Sequence, residues 1–201
     1  MTATPDPAGL RLLSSQRELR ERIAVLAGDI ADVYDASLSP PVLVAVLKGS
    51  SFFLADLIRA MPLDLTVDFM SISSYGEARP GVVRVIKDLD EDIAGRDVLL
   101  VEDIVDTGFT LNFLRKSLLQ REPRSLRTVT LLDKAARRIV PVDIEFRGFE
   151  IEDLFVVGYG LDFQGLYRNV PDLYAVSDVA ALARRPDLLV SHFFEVAISE
   201  C

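Results

Sequence analysis

Cysteine and histidine are almost absent from this chain. The one cysteine is Cys201, the last residue, so an intrachain disulfide and a cysteine-based zinc site are both excluded. The one histidine is His192, which argues against a histidine-rich metal site or a Ser-His triad. Near the C-terminus it reads as a surface or packing residue. Positive charge is also scarce: 22 Lys and Arg stand against 31 Asp and Glu, a formal net charge of −9. A nucleic-acid binder shows a basic excess or stripe, and this chain shows neither. An anionic substrate would have to be attracted by local positive groups. Long apolar runs are missing too. The run Val42–Leu47 is too short to span a bilayer and is stopped by Lys48. Residues 1–9 lack a basic region followed by an apolar one, so no signal peptide is expected. A soluble, cytoplasmic protein that binds neither nucleic acid nor membrane is the expectation. There is no repeat or low-complexity tract to suggest an array or linker.

What remains is an ordinary globular composition. With 201 residues, 50% hydrophobic and 26% charged, the chain suits one domain, 1–201, with a substantial core. Residues 1–13 carry Pro5, Pro7 and Gly9 and read as a loose leader. Ser15 and Glu18 form a capping box. Leu19, Ile23, Leu26, Ile30 and Val33 follow as one apolar helical face. Val42–Leu47 reads as a buried strand, followed by Lys48-Gly49-Ser50-Ser51 and a helical segment. Residues 65–71 and 82–87 read as two strands of a long hairpin whose turn-rich connection holds Ser74 and Tyr75. Strands are expected at 127–132 and 143–146. The tail, 177–201, offers Leu188, Leu189, Phe193 and Phe194 either to the body or to a subunit interface.

The most informative stretch runs from Val98 to Leu111. Val98-Leu99-Leu100-Val101 has the pattern of a strand buried on both faces. Glu102-Asp103-Ile104-Val105-Asp106-Thr107-Gly108-Phe109-Thr110 follows, and then helical apolar spacing at Leu111, Leu114, Leu118 and Leu119. The stretch therefore reads strand, acidic loop, helix. Ligands of open α/β sheets sit off the carboxyl ends of strands, and a helix start after a small-residue turn offers unpaired N–H groups to phosphate. Acids beside a phosphate cradle repel it unless a divalent cation intervenes or the acids accept hydrogen bonds from sugar hydroxyls. Both arrangements suit a sugar phosphate with Mg²⁺. An isolated D-x-x-D-T-G would read instead as a helix cap with water-facing acids; the whole run after a buried strand favours the ligand site.

This run resembles the phosphoribosyl-diphosphate (PRPP) loop of type I phosphoribosyltransferases, and its Glu-Asp-Ile-Val-Asp-Thr-Gly form is similar to that of the hypoxanthine-guanine phosphoribosyltransferase family. Further matching segments follow in order between Val42 and Asp172. The resemblance implies an α/β fold with a mainly parallel central sheet flanked by helices. A small hood is implied, built from the first helix region and C-terminal segments, with a hairpin lid. It implies purine salvage: transfer of the 5-phosphoribosyl group from PRPP to N9 of hypoxanthine or guanine, giving IMP or GMP and pyrophosphate, with Mg²⁺, in a homodimer or homotetramer.

By the same resemblance, Lys48 and Gly49 form the diphosphate-contacting loop, in which a cis peptide is common among relatives. Ser74 and Tyr75 match the lid pair, while Glu77, Arg79 and Pro80 depart from the small polar residues expected at the tip. Glu102 and Asp103 hold the ribose hydroxyls or the metal, Asp106 is the candidate general base, and Thr107, Gly108 and Thr110 cradle the 5′-phosphate. Lys134 matches the lysine at the purine 6-oxo group, Phe155 the stacking ring, and Val156 the residue whose backbone reads the base edge. Asp162 matches the second metal carboxylate on the purine side, and Arg168 a diphosphate-binding arginine. Phe109 stands where some relatives carry a basic residue. Read from the residues alone, Lys48 and Lys134 are strand-end lysines and Phe155 is a core ring. Two alternatives stay open: a xanthine- or guanine-selective enzyme of the same class, and a PRPP- or nucleotide-sensing regulator on the same fold.

Overall fold

The computed structural model describes residues 8–34, 39–74 and 83–194. They fall into two compact units, one of residues 20–153 and the other of residues up to 19 together with those from 154 onward.

The larger unit is built on a six-stranded sheet. Its strands are β2 (Val42–Leu47), β3 (Thr66–Ser74), β4 (Val83–Lys87), β5 (Asp97–Val105), β6 (Ser125–Asp133) and β7 (Phe146–Glu150), ordered β4-β3-β2-β5-β6-β7. All neighbours are parallel except the β3–β4 pair, which is antiparallel. The fold is thus α/β with a mostly parallel sheet. Helices α1 (Gln16–Ala31), α2 (Ser50–Ala60) and α3 (Phe109–Leu119) accompany it. β2 and β5 are central and buried along their apolar stretches, which is why they read as unbroken hydrophobic runs rather than alternating ones. One core cluster joins Val42, Val44 and Val46 of β2 to Val98 and Leu100 of β5 and to Leu111, Leu114 and Leu118 of α3. Leu119, expected on that helical face, is exposed: it is the last residue of α3. In the N-terminal helix Ile23, Leu26 and Ile30 are buried as expected, but Val33 lies past the helix end and is exposed. Arg22 Nε donates to the Gly148 carbonyl at 2.8 Å, tying α1 to β7.

The smaller unit holds an antiparallel sheet of β1 (Leu10–Ser14), β9 (Leu173–Val176) and β8 (Phe155–Val157), in the order β1-β9-β8. Two short helices follow, α4 (Val179–Arg184) and α5 (Val190–Phe193). Its core gathers Val157, Tyr167, Val170, Val176, Leu182 and Leu189, with Leu188, Phe193 and Phe194 packed against it. The tail therefore packs within this unit as far as residue 194.

Three expectations are corrected. Residues 10–13 of the supposed loose leader belong to β1, because β9 supplies their hydrogen-bond ladder; the residues show no clean alternation that would have announced a strand. The hood's N-terminal contribution is accordingly this strand, while most of α1 lies with the larger unit. The strand placed at 143–146 starts at Phe146 instead. Glu145 occupies the β6 edge with its side chain: its carboxylate accepts the Thr128 N–H at 2.6 Å, the group a ladder carbonyl would take. The expected hairpin forms between β3 and β4, and its tip, with Tyr75, Glu77, Arg79 and Pro80, lies outside the described residues. Ser74 is the last residue of β3 and pairs with Val83.

Candidate active site

The acids expected on a loop are in fact the end of a strand. β5 continues through Glu102 and Asp103 to Val105, in parallel register with β6, Glu102 beside Thr130 and Val105 beside Asp133. Glu102 is buried at 6% exposure. Burial pushes its carboxyl well above the usual carboxylate range, and the neighbouring Asp103 adds to that shift. Asp103 Oδ1 accepts the Ile104 N–H at 2.8 Å.

Beyond Val105 the chain turns sharply through Asp106, Thr107 and Gly108 into α3. Gly108 has φ 89°, and a Cβ there would stand 2.5 Å from the Val140 carbonyl oxygen, so only glycine fits. No side chain caps α3, which leaves the first N–H groups of this eleven-residue helix to an anion. The turn is braced from behind. The Thr107 carbonyl accepts the Ile139 and Val140 N–H groups at 2.9 and 3.0 Å, and the Asp106 carbonyl accepts Arg138 Nη1 at 2.6 Å.

β2 supplies the opposite wall. Its last residue leads into a cis Leu47–Lys48 peptide, one bond before the Lys48–Gly49 bond that the resemblance pointed to. Gly49 has right-handed helical geometry and is the N-cap of α2. Together these elements enclose a cavity of about 260 Å³ lined by residues 46–49, 102–108 and 110–111, with Ile72. Lys48, Gly49, Glu102, Asp103, Asp106, Thr107, Gly108 and Thr110 thus meet at one place.

Lys134 follows β6 and is buried, its N–H on the Val105 carbonyl at 2.9 Å and its Nζ 3.7 Å from Asp153 Oδ1. A single 3₁₀ turn, Ala135–Arg137, brings Arg137 round so that Nε is 2.9 Å from Asp106 Oδ1 and Nη1 is 3.0 Å from Asp153 Oδ1. Beneath the turn Asp133, 1% exposed, pairs with Arg138 and, at 2.6 Å, with Arg147 Nε. The sequence reading missed Arg137, Arg138, Asp133 and Asp153. The available signal was the Arg-Arg pair three residues beyond a strand-end lysine.

In the smaller unit Phe155 is half-buried and meets Phe163 edge-on, ring centroids 5.7 Å apart. Val156 is buried in β8. Asp162 and Arg168 pair with each other: Nη2 of Arg168 is 2.5 Å from Asp162 Oδ1, and Arg168 Nη1 donates to the Gly160 carbonyl at 2.6 Å. The second Asp162 oxygen accepts the Gly165 N–H at 2.7 Å. Among the described residues no group of three or more His, Cys, Asp or Glu side chains could hold a metal, and no helix is long and apolar enough to cross a membrane.

Residues 13–164 match the sequence model of the Phosphoribosyl transferase domain. The chain is 49% identical over 164 residues to the hypoxanthine phosphoribosyltransferase of Escherichia coli K12, covering 81% of this chain and 92% of that protein. It is 44% identical over 171 residues to the hypoxanthine-guanine phosphoribosyltransferase of Aquifex aeolicus, covering 84% and 96%. Among solved structures it is similar to a hypoxanthine-guanine phosphoribosyltransferase from Bacillus anthracis, with a TM-score of 0.79 and 43% identity over 83% of this chain and 98% of that one.

Proposed function

This chain belongs to the phosphoribosyl transferase family, and we propose that its reaction is transfer of the 5-phosphoribosyl group from PRPP to N9 of hypoxanthine or guanine. The products are IMP or GMP and pyrophosphate. The observation that carries this reading is the cavity where a strand-end acid pair, an uncapped helix start and Lys48 converge. Relatives of 44–49% identity that bear the names of hypoxanthine and hypoxanthine-guanine phosphoribosyltransferases support it.

In the reaction the bond from C1′ to the diphosphate oxygen breaks, its electron pair leaving with pyrophosphate. A bond from purine N9 to C1′ forms, and the purine gives up a proton. Three demands follow. The sugar phosphate must be fixed: the N–H groups of the first turn of α3, with Thr107, Gly108 and Thr110, cradle the 5′-phosphate, and Glu102 and Asp103 take the ribose hydroxyls. The leaving charge must be offset, a task for Lys48 and, in the smaller unit, Arg168. The proton must be accepted, and Asp106, half-exposed at the cavity, is the base. Lys134 donates to the 6-oxo group, Phe155 stacks on the purine and the Val156 backbone reads its edge.

Mg²⁺ fits the donor set. Magnesium takes one or two carboxylates and completes its shell with water and substrate oxygens. Glu102 and Asp103 offer two adjacent hard oxygen donors, one of them a buried carboxyl whose ionisation an adjacent cation would favour. Asp162 is the carboxylate proposed for a second ion. When bound, the metal supplies positive charge against the diphosphate. Assembly as a homodimer or homotetramer, in the cytoplasm, belongs to the same proposal and rests on the family resemblance.

The test is pyrophosphate release with PRPP, Mg²⁺ and a panel of hypoxanthine, guanine, xanthine and adenine. Release with hypoxanthine or guanine is the expected result. Release with xanthine alone would make the chain a xanthine-selective member, and none with any base would leave a PRPP-binding regulator.

A further inference from the structure

Asp106 and Lys134, the proposed proton acceptor and the proposed reader of the 6-oxo group, do not touch each other. They are nevertheless ends of one chain of charges. Asp106 Oδ1 is 2.9 Å from Arg137 Nε; Arg137 Nη1 is 3.0 Å from Asp153 Oδ1; and the same Asp153 oxygen is 3.7 Å from Lys134 Nζ. Two anions alternate with two cations, so the row is neutral. Every member lies in the larger unit. The local sequence explains the geometry: the 3₁₀ turn Ala135–Arg137 starts at Lys134 and folds the guanidinium back towards the loop that carries Asp106. The Asp153 carboxyl is held below its usual range, first by its hydrogen bond from Arg137.

The stability interest of such a row is small. Arg137, Asp106 and Asp153 are each about half exposed, and exposed ion pairs contribute little to folding. Its geometric interest is larger. A guanidinium presents donors in a rigid planar arrangement: here Nη1 donates a hydrogen bond to Asp153, while Nε stands 2.9 Å from Asp106 Oδ1 as an ion pair without a hydrogen bond between them. One of these carboxylates, Asp106, is the proposed base; the other, Asp153, holds the ammonium of the buried Lys134.

We propose that Arg137 is a positioning residue for the transfer reaction, fixing Asp106 directly and Lys134 through Asp153. This rests on the roles given above to Asp106 and Lys134. Arg137 touches neither substrate nor the reacting atoms in this scheme. It acts by restricting where two other side chains can be when the purine arrives. Removing it leaves Asp106 free to swing on its loop and lets Asp153 turn away from Lys134.

The test is steady-state kinetics with hypoxanthine and PRPP on wild type, Arg137→Gln, Arg137→Lys, Asp106→Asn and the Arg137→Gln/Asp106→Asn double variant, with melting temperatures alongside. Arg137→Gln should lower kcat by about tenfold, the size of a coupling between directly contacting residues, while KM for PRPP and the melting temperature hold. Arg137→Lys, whose single nitrogen cannot occupy both positions, should recover only part of kcat. Asp106→Asn alone should cost about 10²–10⁴ in turnover, the range for a general base, and adding Arg137→Gln should cost much less than tenfold more. A merely structural arginine would instead lower the melting temperature and raise both KM values. Wild-type kcat in Arg137→Gln, or full additivity in the double variant, overturns the proposal. An inactive wild type would instead reject the proposed function, and the two failures are read from different samples.

Discussion

Arg168 and Asp162 hold each other through Nη2 and Oδ1 at 2.5 Å. The first is the proposed partner of a diphosphate and the second of a cation, so without ligands each neutralises the other. Both are about one-quarter exposed, and water is at hand to take either place. Asp162→Ala is expected to raise the Mg²⁺ concentration needed for half-maximal rate. Arg168, released from its partner, stays cationic, so KM for PRPP at saturating Mg²⁺ should change little. A magnesium titration of the rate, compared with wild type, checks this; an unchanged midpoint removes Asp162 from the metal site.

Glu102 carries a price for its position. Its carboxyl is raised by burial and by Asp103, so its ionised form is disfavoured in the fold relative to the unfolded chain. Its contribution to stability is therefore complete below the ordinary carboxyl value of 4.5 and is lost as pH rises through the raised folded value. Glu102→Gln keeps the shape and removes the charge. In the absence of ligands it should melt higher than wild type at pH 8, with the gap closing as the pH is lowered towards 4.5, while transferase activity falls. Thermal melts across that range decide it, and parallel curves for the two proteins would contradict a buried charge.

Gly108 is the narrowest point of the phosphate turn. Gly108→Ala must accommodate a methyl group 2.5 Å from a backbone oxygen at φ 89°. The expected outcome is destabilisation of about 1–3 kcal/mol and at least a tenfold rise in KM for PRPP, with KM for hypoxanthine affected less. Gly28→Ala is the control, since a Cβ at Gly28 meets nothing within 4 Å and lies inside α1. It should stabilise by up to about 1 kcal/mol and leave both KM values alone.

Lys134 offers donors and no acceptor. A 6-oxo group accepts from it, whereas the 6-amino group of adenine leaves two donors facing each other in a buried place. Sites built on such a bond discriminate by roughly 10⁴–10⁵. Adenine should therefore be a very poor substrate, and Lys134→Met should depress kcat/KM for hypoxanthine far more than for adenine. Measuring both bases with both proteins settles the role: an unaltered ratio means that Lys134 does not read the base.

The central strands and the phosphate turn were legible because their signals are local. Four apolar residues at 98–101, an acid run and Thr-Gly need no partner to be recognised. The limits came where a distant segment decides. Leu10–Ser14 is a strand only because β9 exists, and β7 starts late because the Glu145 side chain takes the Thr128 N–H. Arg137 and Asp153 were invisible as site residues for the same reason. Sixteen positions apart, their relation to Asp106 and Lys134 exists only once β6 and the 3₁₀ turn have formed.

The pairing of β1 with β9 joins Leu10 to Val176. A ribosome makes the first of these strands before all six strands of the larger unit and the second after them. The six strands of the larger unit, by contrast, are complete by residue 150. During synthesis the larger sheet can therefore assemble while Leu10–Ser14 still waits for its partner. The order of translation leaves Leu10–Ser14 without its β9 partner until Leu173–Val176 has been made, so the smaller sheet cannot close before then.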